Sequence, residues 1–240
     1  MDVNKNSYTF IFSAILVVVV GAVLAFAAES LKPMQQENIR IEKMQNILAS
    51  VKVEASPEEA NEKFDQYIVD QLLLNNKGEN MTAEGVTAFD VDVVKEYKTL
   101  SPEERHYPLF VFEDGGTQKF IVPLAGKGLW GPIWGYVAFE KDMNTVFGST
   151  FDHKTETPGL GAEIKEGWFQ ERFVGKSIFD DSGEFVSVEV VKGGSDVAGN
   201  PHAVDGISGG TITSKGVGEM IERTLKVYVP YFKGNQKAAL

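Results

Sequence analysis

Residues 108–124 read Pro-Leu-Phe-Val-Phe-Glu-Asp-Gly-Gly-Thr-Gln-Lys-Phe-Ile-Val-Pro-Leu. Asp114-Gly115-Gly116, set between two runs rich in aromatic and β-branched residues, is a hairpin signal, because tight antiparallel turns need residues that tolerate positive φ. In the first run Leu109, Phe110, Val111 and Phe112 are consecutive apolar residues, so that strand is expected to be covered on both faces. The pattern recurs downstream, where residues 133–140 and 145–151 form a second pair around Lys141-Asp142-Met143-Asn144. Residues 86–94 and 185–191 read as further strands.

Helical patterns lie on either side of this strand-rich middle. After Pro33, apolar residues recur at Met34, Ile39, Ile41, Met44, Ile47, Leu48 and Val51 with polar residues between them. Ser56-Pro57-Glu58-Glu59 is a start signal, with Ser56 as N-cap, Pro57 at the first helical position and Glu59 completing a capping box. Phe64, Ile68, Leu72 and Leu73 are expected to form the buried face of that helix, which Gly78 ends. Near the C-terminus Val217, Met220, Ile221, Leu225 and Tyr228 fall on one helical stripe. The expected fold class is α+β, a mostly antiparallel core flanked by helices, rather than repeating βαβ units.

Residues 9–28 are an uncharged apolar tract that spans about 30 Å as a helix, the thickness of a bilayer's hydrocarbon core. Two readings stand. Ala25-Phe26-Ala27 offers a signal-peptide cleavage site, whereas the length of the run and the nearly neutral segment before it favour a retained transmembrane anchor. Lys5 and the α-amine give a slight positive-inside bias that places the large domain outside the cytoplasm.

The net charge of −11 argues against nucleic acid, whose binding needs clustered Lys and Arg. The absence of Cys excludes thiolate-ligated iron–sulfur clusters, Cys-zinc sites and disulfides. His106, His153 and His202 show no metal-ligand spacing, so no metal site is expected. An electron carrier without cysteine needs an organic cofactor or a haem, and the spacing of the three histidines gives haem no support.

Residues 204–214, Val-Asp-Gly-Ile-Ser-Gly-Gly-Thr-Ile-Thr-Ser, place the hydroxyls of Ser208, Thr211, Thr213 and Ser214 and the glycines Gly206, Gly209 and Gly210 just ahead of the last helical stripe. A helix N-terminus offers unpaired N–H groups and a favourable dipole for an anion, so this is a phosphate seat or a plain capped turn. Residues 128–135, Gly-Leu-Trp-Gly-Pro-Ile-Trp-Gly, read either as a tight loop with core aromatics or as a flat apolar platform for a ring. Thr157-Pro158-Gly159-Leu160-Gly161 is a turn with Gly159 in the left-handed position.

Together these three stretches carry a resemblance. Asp205-Gly206-Ile207-Ser208-Gly209-Gly210-Thr211 looks like the flavinylation motif Asp-x-x-Ser/Thr-Gly-Ala-Thr, and the order of the motifs resembles the C subunit of the Na⁺-translocating NADH:quinone oxidoreductase of bacterial membranes. Gly210 stands where that family usually has Ala, the loss of one methyl. The resemblance implies covalent FMN on Thr211, attached by a flavin transferase that recognises Asp205, Ser208, Gly209 and Thr211. It implies cofactor contacts from Leu129, Trp130, Gly131, Glu156, Thr157, Leu160, Gly161, Ser208, Gly209, Gly210, Thr213 and Ser214, with Lys176 as a charge near the flavin; Glu156 is otherwise a surface residue. No residue is expected to act as a catalytic acid or base.

The implied organisation is a cytoplasmic tail at 1–8, a transmembrane helix at 9–28, a helical stalk at 29–80 and an FMN-binding domain at 81–240. The implied setting is the bacterial inner membrane, with the domain on the periplasmic side, among lipid and the other members of the complex. NADH oxidation is expected elsewhere, since no Gly-x-Gly-x-x-Gly signature appears. The alternatives are the flavoprotein subunit of a ferredoxin:NAD oxidoreductase complex, a membrane-anchored extracytoplasmic reductase that works without such a complex, and a non-redox anchored binding module.

Overall fold

A computed structural model describes residues 5–81 and 85–238; the first half of the tail expected at 1–8 lies outside the described residues. The chain divides into two compact units, residues 1–43 and 44–240. Helix α1, Asn6–Ser50, is continuous through Pro33. Its apolar residues between Phe10 and Phe26 are exposed, and it is long and apolar enough to cross a membrane. The separate helix expected after Pro33 is therefore the same helix. Pro33 costs one backbone hydrogen bond without ending it.

In the second unit the last turns of α1 bury Met44, Ile47 and Leu48. The main chain there meets the sheet directly, with Thr150 Oγ1 donating to Asn46 O at 3.2 Å. Helix α2, Ala60–Tyr67, follows a capping box in which Ser56 N donates to Glu59 Oε2 at 3.1 Å and Glu59 N to Ser56 Oγ at 3.4 Å.

Here the structure corrects the sequence reading. The helix stops at Tyr67, and Ile68–Leu74 is strand β1, paired antiparallel with β2, Tyr107–Asp114. Ile68 and Val69 are β-branched, and Leu72–Leu74 gain a full ladder of backbone bonds at the sheet edge. Residues 86–94, expected as a strand, lead instead into helix α3, Val93–Thr99, where the Asp92 side chain accepts from Lys95 N at 2.9 Å. Of the strand expected at 185–191, Glu189–Val191 is extended in β6.

β3, Thr117–Lys127, β4, Pro132–Phe139, and β5, Val146–His153, complete a five-stranded antiparallel meander in the order β1-β2-β3-β4-β5. Gly115 and Gly116 have φ of 53° and 80°, the geometry a two-residue hairpin demands. β2 is buried on both faces, as its unbroken apolar run predicts. Phe110 and Phe112 meet Phe64 and Tyr67 of α2, while Leu109 and Val111 join the core beneath α5, Thr211–Ala238. Between β5 and α5 lie a 3₁₀ turn at Gly161–Lys165, the four-residue α4, Gly167–Gln170, and a second 3₁₀ turn at Glu171–Phe173. β6 pairs in parallel with β7, Ala203–Asp205, which delivers the chain to α5.

Val217, Met220, Ile221, Leu225, Tyr228 and Phe232 form the buried stripe of α5. The approach at its N-terminal end is close, since a β-carbon at Gly216 would lie 2.5 Å from Lys127 O. That contact sets the first turn of α5 beside the loop leaving β3. Farther along, Tyr228 is fully buried and its hydroxyl donates to Pro108 O at 2.7 Å.

Burial penalises the phenolate and holds the Tyr228 hydroxyl well above the usual value of 10.0. A group whose pKa is raised on folding contributes stability that is fully present below the unfolded value and declines as pH rises past it. Tyr228→Phe is expected to cost about 1–3 kcal/mol at neutral pH by leaving Pro108 O without its donor. It is also expected to lose stability less steeply above about pH 10 than the parent chain, as urea unfolding across that range will show.

Candidate functional site

Gly209 takes φ of 80°, and the chain then enters α5, whose first backbone bond across this junction is Ser214 N to Gly210 O at 2.9 Å. The N–H groups of Thr211, Ile212 and Thr213 precede that bond and lie at the positive end of a 28-residue helix. They border a pocket of about 220 Å³ lined by Leu129, Trp130, Glu156, Thr157, Leu160, Gly161, Gly209, Gly210, Thr211, Ile212 and Thr213. The three stretches singled out in the sequence, separated by tens of residues, thus meet at one cavity.

Its two sides differ in chemistry. Leu129, Trp130, Leu160 and Ile212 are exposed apolar side chains at the rim, and the Trp130 indole is 67% exposed. The open helix end and Thr211, half-buried at the first helical position, border the same cavity. Ile212 escaped the sequence reading. It falls off the buried stripe of α5, and an apolar residue out of phase beside a polar motif was the available signal.

The polar interior is organised by Glu156, which is 5% exposed. Its Oε1 accepts from Trp130 N at 2.8 Å and Gly131 N at 3.2 Å, and its Oε2 accepts from Thr213 Oγ1 at 2.6 Å. Glu156 N in turn donates to His153 Nδ1 at 3.2 Å. His153 therefore carries its proton on Nε2, an atom buried without a partner. Glu156 is not the surface residue that one reading of the sequence allowed.

Several expected contacts are placed elsewhere. Gly131 is not among the lining residues, and its N–H donates to Glu156 Oε1. Ser214 is buried and its hydroxyl accepts from Ile207 N at 2.9 Å, closing the turn before the helix. Ser208 is exposed outside the lining, and Lys176 Nζ donates to Asn200 O at 2.7 Å, well occupied away from the pocket. Asp205 is held within the fold, with Oδ2 3.2 Å from Arg172 Nη1 and Oδ1 accepting from Ser195 N. Arg172 also donates to the carbonyls of Asp205 at 2.6 Å and Gly206 at 3.1 Å, a brace with no signal in the sequence.

A second, smaller cavity, of about 50 Å³, is lined by Tyr97, Arg105, His106 and Arg223 among others. Its polar groups are already spent: His106 Nδ1 is 2.9 Å from Glu96 Oε1, Arg105 donates to Leu100 O and Tyr97 O, and Arg223 donates to Ala125 O. Among the described residues no group of three or more His, Asp or Glu side chains is placed to hold a metal ion.

Residues 128–226, which include every residue lining the first pocket, match the FMN-binding domain family. Over 237 residues the chain is 30% identical to the C subunit of the Na⁺-translocating NADH-quinone reductase of Pseudomonas aeruginosa, covering 91% of this chain and 90% of that one. The chain belongs to this family of reductase C subunits. The Yersinia pestis member is 34% identical over 226 residues, 87% of this chain and 84% of its own. The crystal structure of the Parabacteroides distasonis member superposes with a TM-score of 0.75 at 46% identity, covering 84% of this chain and 96% of that one. Shewanella oneidensis NqrC gives 0.67 at 29%, covering 81% and 98%. The expected α+β class, with an apolar N-terminal helix and an antiparallel core, holds for the family and for this chain. With the chain in this family, α1 is the anchor of a single-pass membrane protein.

The departure at Gly210 has a local reason. A β-carbon there would stand 3.0 Å from both Leu160 O and Ile207 Cγ2, so the loop is drawn in to the space a methyl would fill. At Gly161 the same addition would stand 2.5 Å from Thr213 Oγ1 and 2.6 Å from Glu156 Oε2. Gly161→Ala is therefore expected to destabilise the second unit by about 1–3 kcal/mol through overpacking, and Gly210→Ala by less, since its nearest contacts would stand at 3.0 Å rather than 2.5 Å. Thermal unfolding of the two variants compares them.

Proposed function

We propose that this chain is the electron-relay member of a membrane Na⁺-translocating NADH:quinone oxidoreductase, carrying FMN through a phosphoester bond to Thr211. The observation that carries the reading is the position of Thr211. It is the first residue of a long helix, at the edge of a cavity that pairs unpaired backbone N–H groups with an apolar rim. A phosphate matches the helix end. The flat faces of an isoalloxazine match Leu129, Trp130 and Leu160.

Such a cofactor supplies one- and two-electron transfer when bound; the chain's task is to hold it and to keep its surroundings fixed. Glu156 is the only ordinarily titratable side chain lining the pocket among the described residues, and both its oxygens are engaged. Thr211 therefore has no base of its own. Attachment replaces its hydroxyl proton by the FMN phosphoryl group, with AMP leaving when FAD is the donor, and a separate Mg²⁺-dependent flavin transferase provides the activation. Once the bond exists, retention no longer depends on cofactor concentration.

The remaining assignments follow from this reading. Residues 9–28 span the inner membrane, residues 1–8 are cytoplasmic, and the second unit stands on the periplasmic side among the other membrane proteins of the complex. Residues 81–240 hold the cofactor-binding part, with 29–80 supporting it. Leu129, Trp130, Thr157, Leu160, Gly161, Gly209 and Gly210 line the bound flavin, and Asp205, Ser208, Gly209 and Thr211 are read by the transferase.

The test is co-expression with a flavin transferase followed by denaturation. Flavin fluorescence that stays with the unfolded chain, and a mass gain of FMN less water, are expected for the parent and for Thr211→Ser, and both are expected to vanish in Thr211→Val. A colourless parent chain, made beside a control target that is modified in the same cells, would sink the proposal in favour of a non-redox binding module.

A further inference from the structure

We propose that Glu156 is a positioning residue, a buried carboxylate that fastens the Trp130 loop to the first turn of α5 before any cofactor is present. The inference rests on the reading of this pocket as the flavin seat.

The Trp130 side chain is 67% exposed and Leu129 is exposed beside it, so burial does not hold this platform in place. Its position has to come from the backbone. The turn closes on itself through Gly128 N to Gly131 O at 2.8 Å, and its two inward N–H groups, of Trp130 and Gly131, converge on one oxygen of Glu156. The other oxygen takes the Thr213 hydroxyl, which is 1% exposed and belongs to α5. A single carboxylate therefore ties together two elements that both line the pocket.

The surrounding sequence is cut to admit it. A β-carbon at Gly128 would lie 2.6 Å from Glu156 Oε1, and one at Gly161 would lie 2.6 Å from Oε2. The first glycine comes from the tryptophan stretch and the second from the Thr-Pro-Gly-Leu-Gly turn. Both glycines are thus explained by the carboxylate between them, without reference to a ligand. Among the described residues no cation forms an ion pair with Glu156; two backbone amides and one hydroxyl serve in its place. Hydrogen bonds to an ionised acceptor are the strong kind, and breaking them exposes or orphans inward N–H groups.

Chemistry separates this role from a contact made to the cofactor or from charge alone. A Gln side chain has the same length: its carbonyl can accept from the two loop amides while its NH₂ donates to Thr213 Oγ1, reversing that one bond. An Asp carboxylate is one methylene too short to reach both sides. Glu156→Gln should therefore keep the fastening, and Glu156→Asp should break it.

The experiment is amide hydrogen exchange at Trp130 and Gly131, read by NMR in the full chain in detergent micelles and without exposure to a flavin transferase. Glu156→Asp is expected to speed exchange at both amides about 10- to 100-fold, Thr213→Val by less, and Glu156→Gln by no more than about threefold, with exchange in β3 and β4 unchanged. Parent-like exchange in Glu156→Asp and Thr213→Val, or equal acceleration in Glu156→Gln and Glu156→Asp, would overturn the proposal. If Glu156→Asp does not fold, Thr213→Val set against Glu156→Gln decides it.

The same variants are then co-expressed with the transferase. Flavin on Thr211 is expected to be more accessible to iodide quenching in Glu156→Asp than in the parent or in Glu156→Gln. Equal quenching in all three would confine the fastening to the free chain and refute its role at the cofactor. A colourless parent chain would remove the flavin reading, while the exchange pattern would still decide whether Glu156 fastens the loop.

Discussion

The approach of α5 to the end of β3 is the constraint from which the pocket follows. Helix and sheet are joined along a stripe from Val217 to Phe232, and at Gly216 the helix comes so near Lys127 O that no side chain fits between them. Lys127 is the last residue of β3, so this contact places the open end of the helix beside the loop that follows. The aromatic core under α5, with Tyr107 against Tyr228 and Phe139 against Phe232, fixes the helix along its length. A cavity built in this way needs no moving part to bring its anion-binding end and its apolar rim together.

The division between legible and illegible features has a physical basis. The β2–β3 hairpin was readable because turn chemistry and alternation are local, and the motif at 204–214 was readable because a helix start is written in its own residues. Strand β1 was not. Phe64, Ile68 and Leu72 recur at helical spacing, and only the unpaired edge of β2 makes extension from Ile68 the better choice. Residues 86–94 failed for a different reason: the alternation of Val86, Ala88, Val91 and Val93 obscured Asp92 as an N-cap, although Glu96 in the first turn and Lys98 in the last agree with a helix.

At the site, residue identity was easier to read than residue orientation. Leu129, Trp130, Thr157, Leu160 and Gly161, named from three separate stretches, line one cavity. Thr213 and Ser214 lie in the same motif, yet their hydroxyls are turned to Glu156 and to the Ile207 amide. Nothing in a string of small hydroxyls says which will face a cavity and which will serve the turn. Lys176 and Arg172 show the same limit for charge. One is tied to Asn200 O, and the other braces Asp205 and Gly206, because the partners of long cationic side chains are set by tertiary contacts tens of residues away.

The dispersal of the lining over residues 129–213 also fixes an order of events. The meander and the 157–161 turn precede α5 along the chain, and the pairings from β2 to β5 link near neighbours in sequence. The cavity's remaining wall belongs to the helix that packs back over β3, a connection of far longer range. During synthesis the sheet can therefore form while the pocket still lacks one side. The last wall of the pocket, the first turn of α5, is therefore also the last of its parts to be synthesised.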